Sequence, residues 1–276
     1  MRISLRGWTR ALALSLCALA SAQATAGEAP APKPGEWIAH DFKFHGGEVL
    51  PVLRLRYTTI GEPSGEPVLI LHGTGGSGAG LLTPEFAGRL FGPGQPLDAA
   101  RYFIILPDAI GHGGSSKPSD GLRMKFPKYD YDDQIAAEYG LLNQGLGIHH
   151  LRLIAGISMG GMETWLWGEK YPFFMDALAP MAAQPVPMAS RNWMLRRLMV
   201  ETIRNDPGWL NGEYKSEPYS LPIAFAFYNS INGSPQPTMT HRKISSGSRQ
   251  KCWSSIRRTT NVTRRRLESP SAPSSG

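Results

Sequence analysis

Ser158 sits in the run Gly156-Ile157-Ser158-Met159-Gly160-Gly161, a single hydroxyl with glycines two residues to either side. A serine so spaced is a candidate nucleophile for acyl transfer. Its weak acidity means that it needs a base and an orienting acid beside it. That chemistry also needs backbone N–H groups aimed at the developing oxyanion, one from a glycine-rich loop and one from the residue after the nucleophile. The run from Leu71 to Gly78, LHGTGGSG, is such a loop, and the two donors are assigned to Thr74 and Met159. A phosphate cradle is the competing reading of the loop. No Gly-Lys-Ser/Thr follows it, and dinucleotide binding needs a different glycine spacing.

These residues must be held by particular elements. A nucleophile elbow needs a strand ending at the serine and a helix beginning after it, and Leu151 to Trp167 reads that way. Pro67 to Gly73, Arg101 to Asp108 and Leu151 to Ser158 are short continuous apolar runs ending in Gly, Asp or Ser. That pattern predicts parallel strands covered on both faces. WIAHDFKF and EVLPVLRLRYTTIG, with Gly46-Gly47 between them, predict an antiparallel entry pair. Helices are expected over Leu81 to Phe91, over Tyr131 to Leu146, along the run after Ser158, and over the stretches SRNWMLRRLMVETIRNDPGW and YSLPIAFAFYN; a further strand is expected at DALAPMAA. Alternating strand and helix predicts an α/β fold whose functional loops lie at the strand C-terminal ends.

The order strand-HGTGG, strand-Asp-x-x-Gly-x-Gly-x-Ser (within PDAIGHGGSSKP), strand-Gly-x-Ser-x-Gly-Gly resembles the α/β-hydrolase superfamily. FGPGQPLDAARYFIILPD, FPKYDYDDQ and GISMGGMETWLWGEKYP are similar to its homoserine O-acetyltransferase-like branch, over roughly residues 45 to 230. The resemblance implies the α/β-hydrolase fold, with a mostly parallel sheet and helices on both faces. It implies a serine acyl hydrolase or acyltransferase with a small-molecule acyl substrate and no cofactor or metal. It gives His72 a structural role in the oxyanion loop. The family's transferases carry a different glycine-rich segment where this chain has PDAIGHGGSSKPSDG, so water is expected as the acyl acceptor. The alternatives are transfer of the homoserine O-acetyltransferase type and a non-catalytic, ligand-binding scaffold.

In this fold the acid and then the histidine follow the serine along the chain. After Ser158 the sequence has one histidine, His241, which is the candidate base if its segment folds back. The acids available are Glu163, Glu169, Asp176, Glu201, Asp206, Glu213 and Glu217, none of which follows a buried strand. Among earlier histidines, His112 reads as a loop-structuring residue, His149 and His150 as surface, and His40 and His45 as part of the entry hairpin. The expectation is an incomplete triad and a fold lacking its C-terminal strands.

The 276 residues carry a formal charge of +7, unevenly placed. From His241 to Gly276 there are nine Lys/Arg against Glu268; the rest of the chain has 20 bases and 21 acids. A nearly neutral body gives no support to a nucleic-acid partner. Residues 1–26 read as a signal peptide: Arg2, Arg6 and Arg10, then ALALSLCALA, then SAQATA. This predicts export to the periplasm or medium, with no membrane attachment after cleavage. Acetyl-CoA is cytoplasmic, which again favours water as acceptor. Removal of Cys17 leaves Cys252, so no intrachain disulfide forms. Residues 27–36 read as a linker, and 37–232 as the hydrolase core with the start of a helical lid near 188–230. Residues 233–276 read as a basic Ser/Arg-rich disordered tail resembling out-of-frame translation, or else a tail for an anionic partner.

Overall fold

A computed structural model of the protein describes residues 30–231. The signal-peptide reading, residues 27–29 of the linker, the basic tail and His241 lie outside the described residues, and the expected linker ends earlier than residue 36, because its last four residues already pair in the first strand. A six-stranded sheet has the order β1-β2-β4-β3-β5-β6. Its strands are β1 (Lys33–Lys43), β2 (Val49–Ile60), β3 (Glu66–Leu71), β4 (Tyr102–Pro107), β5 (Leu153–Ile157) and β6 (Leu178–Met181). β1 and β2 form the antiparallel entry pair, turning at Gly47 with φ 90°. β2 runs antiparallel to β4, and β4, β3, β5 and β6 are mutually parallel.

The continuous apolar runs have a direct cause. Side chains alternate between sheet faces, and both faces are covered. Leu69, Leu71, Phe103, Ile105 and Ile154 pack on one face with Ile135, Leu142 and Trp167. Val68, Ile70, Ile104, Leu106 and Ala155 pack on the other with Ile60 and Phe91. A third cluster, with Phe44, Leu53, Leu55, Ile110 and Leu141, fills the space under the entry hairpin.

Helices bring the chain back between parallel strands. The helix expected over Leu81 to Phe91 is a correction. The segment holds a 3-10 turn at Ala79–Leu81 and the short helix α1 (Ala87–Leu90). Pro84 has no N–H to give, and the N–H groups of Phe86 and Gly88 both turn back to Thr83. α2 (Tyr131–Gly140) begins at Asp130, whose carboxylate accepts the Asp132 and Asp133 N–H groups while Asp133 accepts the Asp130 N–H. It is shorter than expected, because the chain widens into a π turn at Leu141–Gly145. The Trp37 indole of β1 lies where Gly145 would carry a Cβ, 2.7 Å from that position, and it also covers Gly140. α3 (Met159–Lys170) follows β5.

The chain divides into two compact units, residues 1–187 and 188–276. Within the second, α4 (Ser190–Arg204) packs on α5 (Leu221–Ile231). Asp206 orders their connection by accepting the Gly208 N–H at 2.7 Å and the Ser220 N–H at 2.6 Å. Among the described residues no helix is long and apolar enough to cross a membrane.

Candidate active site

β5 ends at Ile157, α3 begins at Met159, and Ser158 between them has φ 56° and ψ −109°. A non-glycine residue in this region costs about 1–3 kcal/mol and persists only where its surroundings fix it. Here they do. The Ser158 N–H donates to the Met181 carbonyl at 2.9 Å, and its carbonyl accepts the Met162 N–H at 3.0 Å. The flanking glycines are required by crowding. A Cβ on Gly156 would overlap the Gly160 carbonyl, one on Gly160 would overlap the Leu71 carbonyl, and one on Gly161 would lie 2.7 Å from the Met181 carbonyl oxygen.

The loop after β3 lies against this turn. The Gly160 N–H donates to the His72 carbonyl at 3.1 Å, and a Cβ built on Gly73 would stand 3.5 Å from the Ser158 Cβ. Gly75 at φ 76° and a Gly76 N–H bond to the Gly73 carbonyl at 3.0 Å curl the loop tightly. Ser158, the Thr74 loop and the first turn of α3 therefore come together at the C-terminal ends of β3 and β5. Met159 opens α3, a position whose N–H has no intrahelical partner and whose helix end favours negative charge.

His72 is held as a structural group. The Ala109 N–H donates to Nε2 at 3.0 Å, so Nε2 is unprotonated and Nδ1 donates to the Gly73 carbonyl at 2.8 Å. Both nitrogens are committed. Burial holds the imidazole below its ordinary pKa and keeps it neutral. It is thus a tie between the loops after β3 and β4.

Asp108 was not singled out by sequence reasoning, although an acid at the end of a buried strand before Gly-x-Gly-Gly was the available signal. Its carboxylate accepts the Gly78 N–H at 2.7 Å and the Gly114 N–H at 2.8 Å, stapling the same two loops. Gly113, at φ 49°, is where a Cβ would overlap that carboxylate. Ser115 donates to the Asp108 carbonyl at 2.6 Å, and Gln134 clamps Ile110 through both its amide atoms. His112 donates from Nδ1 to the Ile110 carbonyl at 3.1 Å, its ring 5.3 Å from that of His72.

The other candidates lie elsewhere. His150 bonds Asp176 at 2.9 Å at the N-terminal ends of β5 and β6, a strand's length from Ser158, and Arg152 shares that carboxylate. Glu163 is buried with Glu138 of α2. Glu201 pairs with Arg197 at 2.9 Å, and Asp206 orders its own turn. Glu169, Glu213 and Glu217 are exposed, as are His40 and His149. His45 meets Asp130 at 2.9 Å and Asp132 at 3.7 Å, with ligand atoms within 4.8 Å of one another, an arrangement that no sequence spacing announced. The trio is already occupied: Asp130 caps α2, Lys170 lies 2.6 Å from Asp132, and the carboxylates raise the His45 pKa.

Comparison with known proteins follows the same lines. A family described as alpha/beta hydrolase fold matches residues 66–263. Among curated proteins, a homoserine O-acetyltransferase of Thermobifida fusca is 33% identical over 195 residues, which cover 64% of this chain and 51% of that one. A serine O-succinyltransferase of Litchfieldella anticariensis is 31% identical over 189 residues, 62% of this chain and 50% of the other. The chain spans about half the length of the curated relatives it matches. Among solved structures, an acetylester hydrolase from Corynebacterium glutamicum superposes with a TM-score of 0.64 at 25% identity, covering 74% of this chain and 60% of that chain. A homoserine O-acetyltransferase from Bacillus anthracis superposes at 0.61 with 24% identity, covering 72% and 60%.

Proposed function

The chain belongs to the alpha/beta hydrolase fold family, and from that premise we propose that it is an exported serine acyl hydrolase of the homoserine O-acetyltransferase-like branch, with Ser158 as nucleophile. The observation that carries this reading is the strained Ser158, held at φ 56° between β5 and α3 against the glycine loop. The Ser158 hydroxyl attacks the acyl carbonyl and gives its proton to a base. The Met159 and Thr74 N–H groups hold the oxyanion. Collapse of the intermediate expels the alcohol, which takes the proton back, and leaves an acyl-serine that water then cleaves.

His72 is neutral but fully bonded, so the base must come from elsewhere, and we assign it to His241. A base that lacks its orienting acid leaves catalysis several orders of magnitude below that of a full triad. Slow turnover is therefore expected from Ser158→Ala-sensitive activity, and His241→Ala should lower it further. The primary test is labelling with a fluorophosphonate, followed by peptide mass spectrometry. Modification of Ser158, absent from Ser158→Ala, supports the assignment. A folded protein that takes up no label would instead favour a ligand-binding scaffold.

The second reading is O-acyl transfer, supported by the names of the relatives at 31% and 33% identity. Release of CoA from acetyl-CoA that depends on added homoserine would favour it; acetate release from a simple acetyl ester without an amino-alcohol acceptor would favour hydrolysis. Export rests on residues 1–26 and is tested by cell fractionation and N-terminal sequencing. A mature N-terminus following Ala22, Ala24 or Ala26 is the expected outcome.

A further inference from the structure

Two glutamates that the proposed reaction does not use are buried in the helices beside the sheet. Glu138 on α2 is 2% exposed and Glu163 on α3 is 1% exposed. The Trp167 indole N–H donates to Oε2 of Glu138 at 2.8 Å. Oε1 of Glu138 and Oε1 of Glu163 have no hydrogen-bond partner among the described residues. Trp167 itself sits in the apolar cluster with Leu69, Leu71, Ile135 and Leu142. An ionised carboxylate short of donors is strongly disfavoured in such surroundings, and a second one beside it is worse. The acid form fits, because protonation removes the charge whose burial is costly.

We propose that Glu138 and Glu163 form a proton-held latch between α2 and α3, closed while the two carboxyls are uncharged and released when alkaline solution ionises them. The other charged and titratable groups on the packed elements are engaged elsewhere. Asp132 pairs with Lys170, Asp133 closes the cap of α2 and accepts the His45 N–H, and Tyr139 stacks on Tyr171. Tyr131 donates to the Met162 sulfur, Glu169 is exposed, and Glu66 at the start of β3 meets Arg101 and Arg152. No described cation stands by to hold the pair ionised. Burial pushes Glu138 up to about 8 and Glu163 well upward, with the Glu138 charge adding to the second shift. The sign follows: stability from the latch is complete below the ordinary carboxylate range and is lost as pH rises through about 8. Because α3 starts at the residue after Ser158, release loosens the helix that carries the Met159 N–H. The inference is independent of the acyl-transfer reading, since its tests do not use Ser158.

The test is urea unfolding of the full chain between pH 5 and 9, for wild type, Glu138→Gln, Glu163→Gln and the double variant, each change neutral and nearly isosteric. Above the ordinary carboxylate range each buried acid, while it stays protonated in the folded chain, should raise the wild-type unfolding constant about tenfold per pH unit, for Glu138 up to about pH 8. Each single substitution should remove one such factor and the double variant both. Equal pH slopes for wild type and the double variant would overturn the latch. Should the double variant not fold, infrared spectroscopy of the wild type gives the second measurement. A protonated-carboxyl carbonyl band at pH 6.5 that disappears on titration past about 8 is the expected result. Its absence at pH 6.5 would overturn the proposal.

Discussion

At the scale of single residues, the site is built from groups that are costly to replace because each fills a specific vacancy. Gly160 lies against the Leu71 carbonyl, so Gly160→Ala must move either α3 or β3. Its expected cost is about 2–4 kcal/mol, in the range of overpacked and strained positions, read as a fall in the urea midpoint. His72→Ala leaves the buried Ala109 N–H without an acceptor and should cost about 1–3 kcal/mol. His72 also sets a pH dependence of opposite sense to the glutamate pair. Burial lowers its pKa, so the unfolded chain binds the proton more readily. The His72 contribution is present above about pH 6.5 and is lost as pH falls below it. Thermal scans from pH 7.5 to 5.5 should show a decline in wild type that is flatter in His72→Ala.

At the scale of elements, what matters is that loops after two different strands are tied to each other before either meets the serine. Asp108 at the end of β4 accepts one N–H from each loop, and His72 after β3 accepts one from the β4 side. Asp108→Ala orphans the Gly78 and Gly114 N–H groups together. Charge-assisted bonds of this kind make the expected loss about 2–4 kcal/mol, with faster hydrogen exchange concentrated at residues 73–80 and 109–116. Asp108→Asn retains an acceptor oxygen and should lose less. If exchange in the two loops were unchanged in Asp108→Ala, the staple would not be what orders them. The same elements show why two expected helices came out short. Pro84 and the Thr83 acceptors interrupt one, and the Trp37 indole seated on Gly140 and Gly145 accompanies the widening of the other.

At the scale of the whole molecule, the charge is divided along the sequence rather than spread over it. Outside residues 241–276 the chain carries 20 bases against 21 acids. Retention on heparin or a cation exchanger should therefore be salt-sensitive in the full chain and abolished by ending the chain at Gly233. Retention that survives this removal would place a basic surface on the body. The sheet buries apolar side chains on both faces, whereas among the described residues β6 pairs only with β5, and Met181 at its end is 37% exposed.

The sequence by itself determined the strand identities, the α/β class and the elbow at Ser158. These are encoded locally, in unbroken apolar runs that only a doubly covered strand tolerates and in glycines spaced to let a serine turn. It could also place Thr74 and Met159 in the loop and helix that meet that serine. Tertiary structure alone decided the rest. Asp108 becomes a staple because Gly78, thirty residues away in sequence, arrives beside it, and Glu138 and Glu163 become neighbours because α2 packs on α3. His45 finds Asp130 across 85 residues. Such pairings depend on which strands adjoin and which helix faces meet, and no spacing along the chain records that.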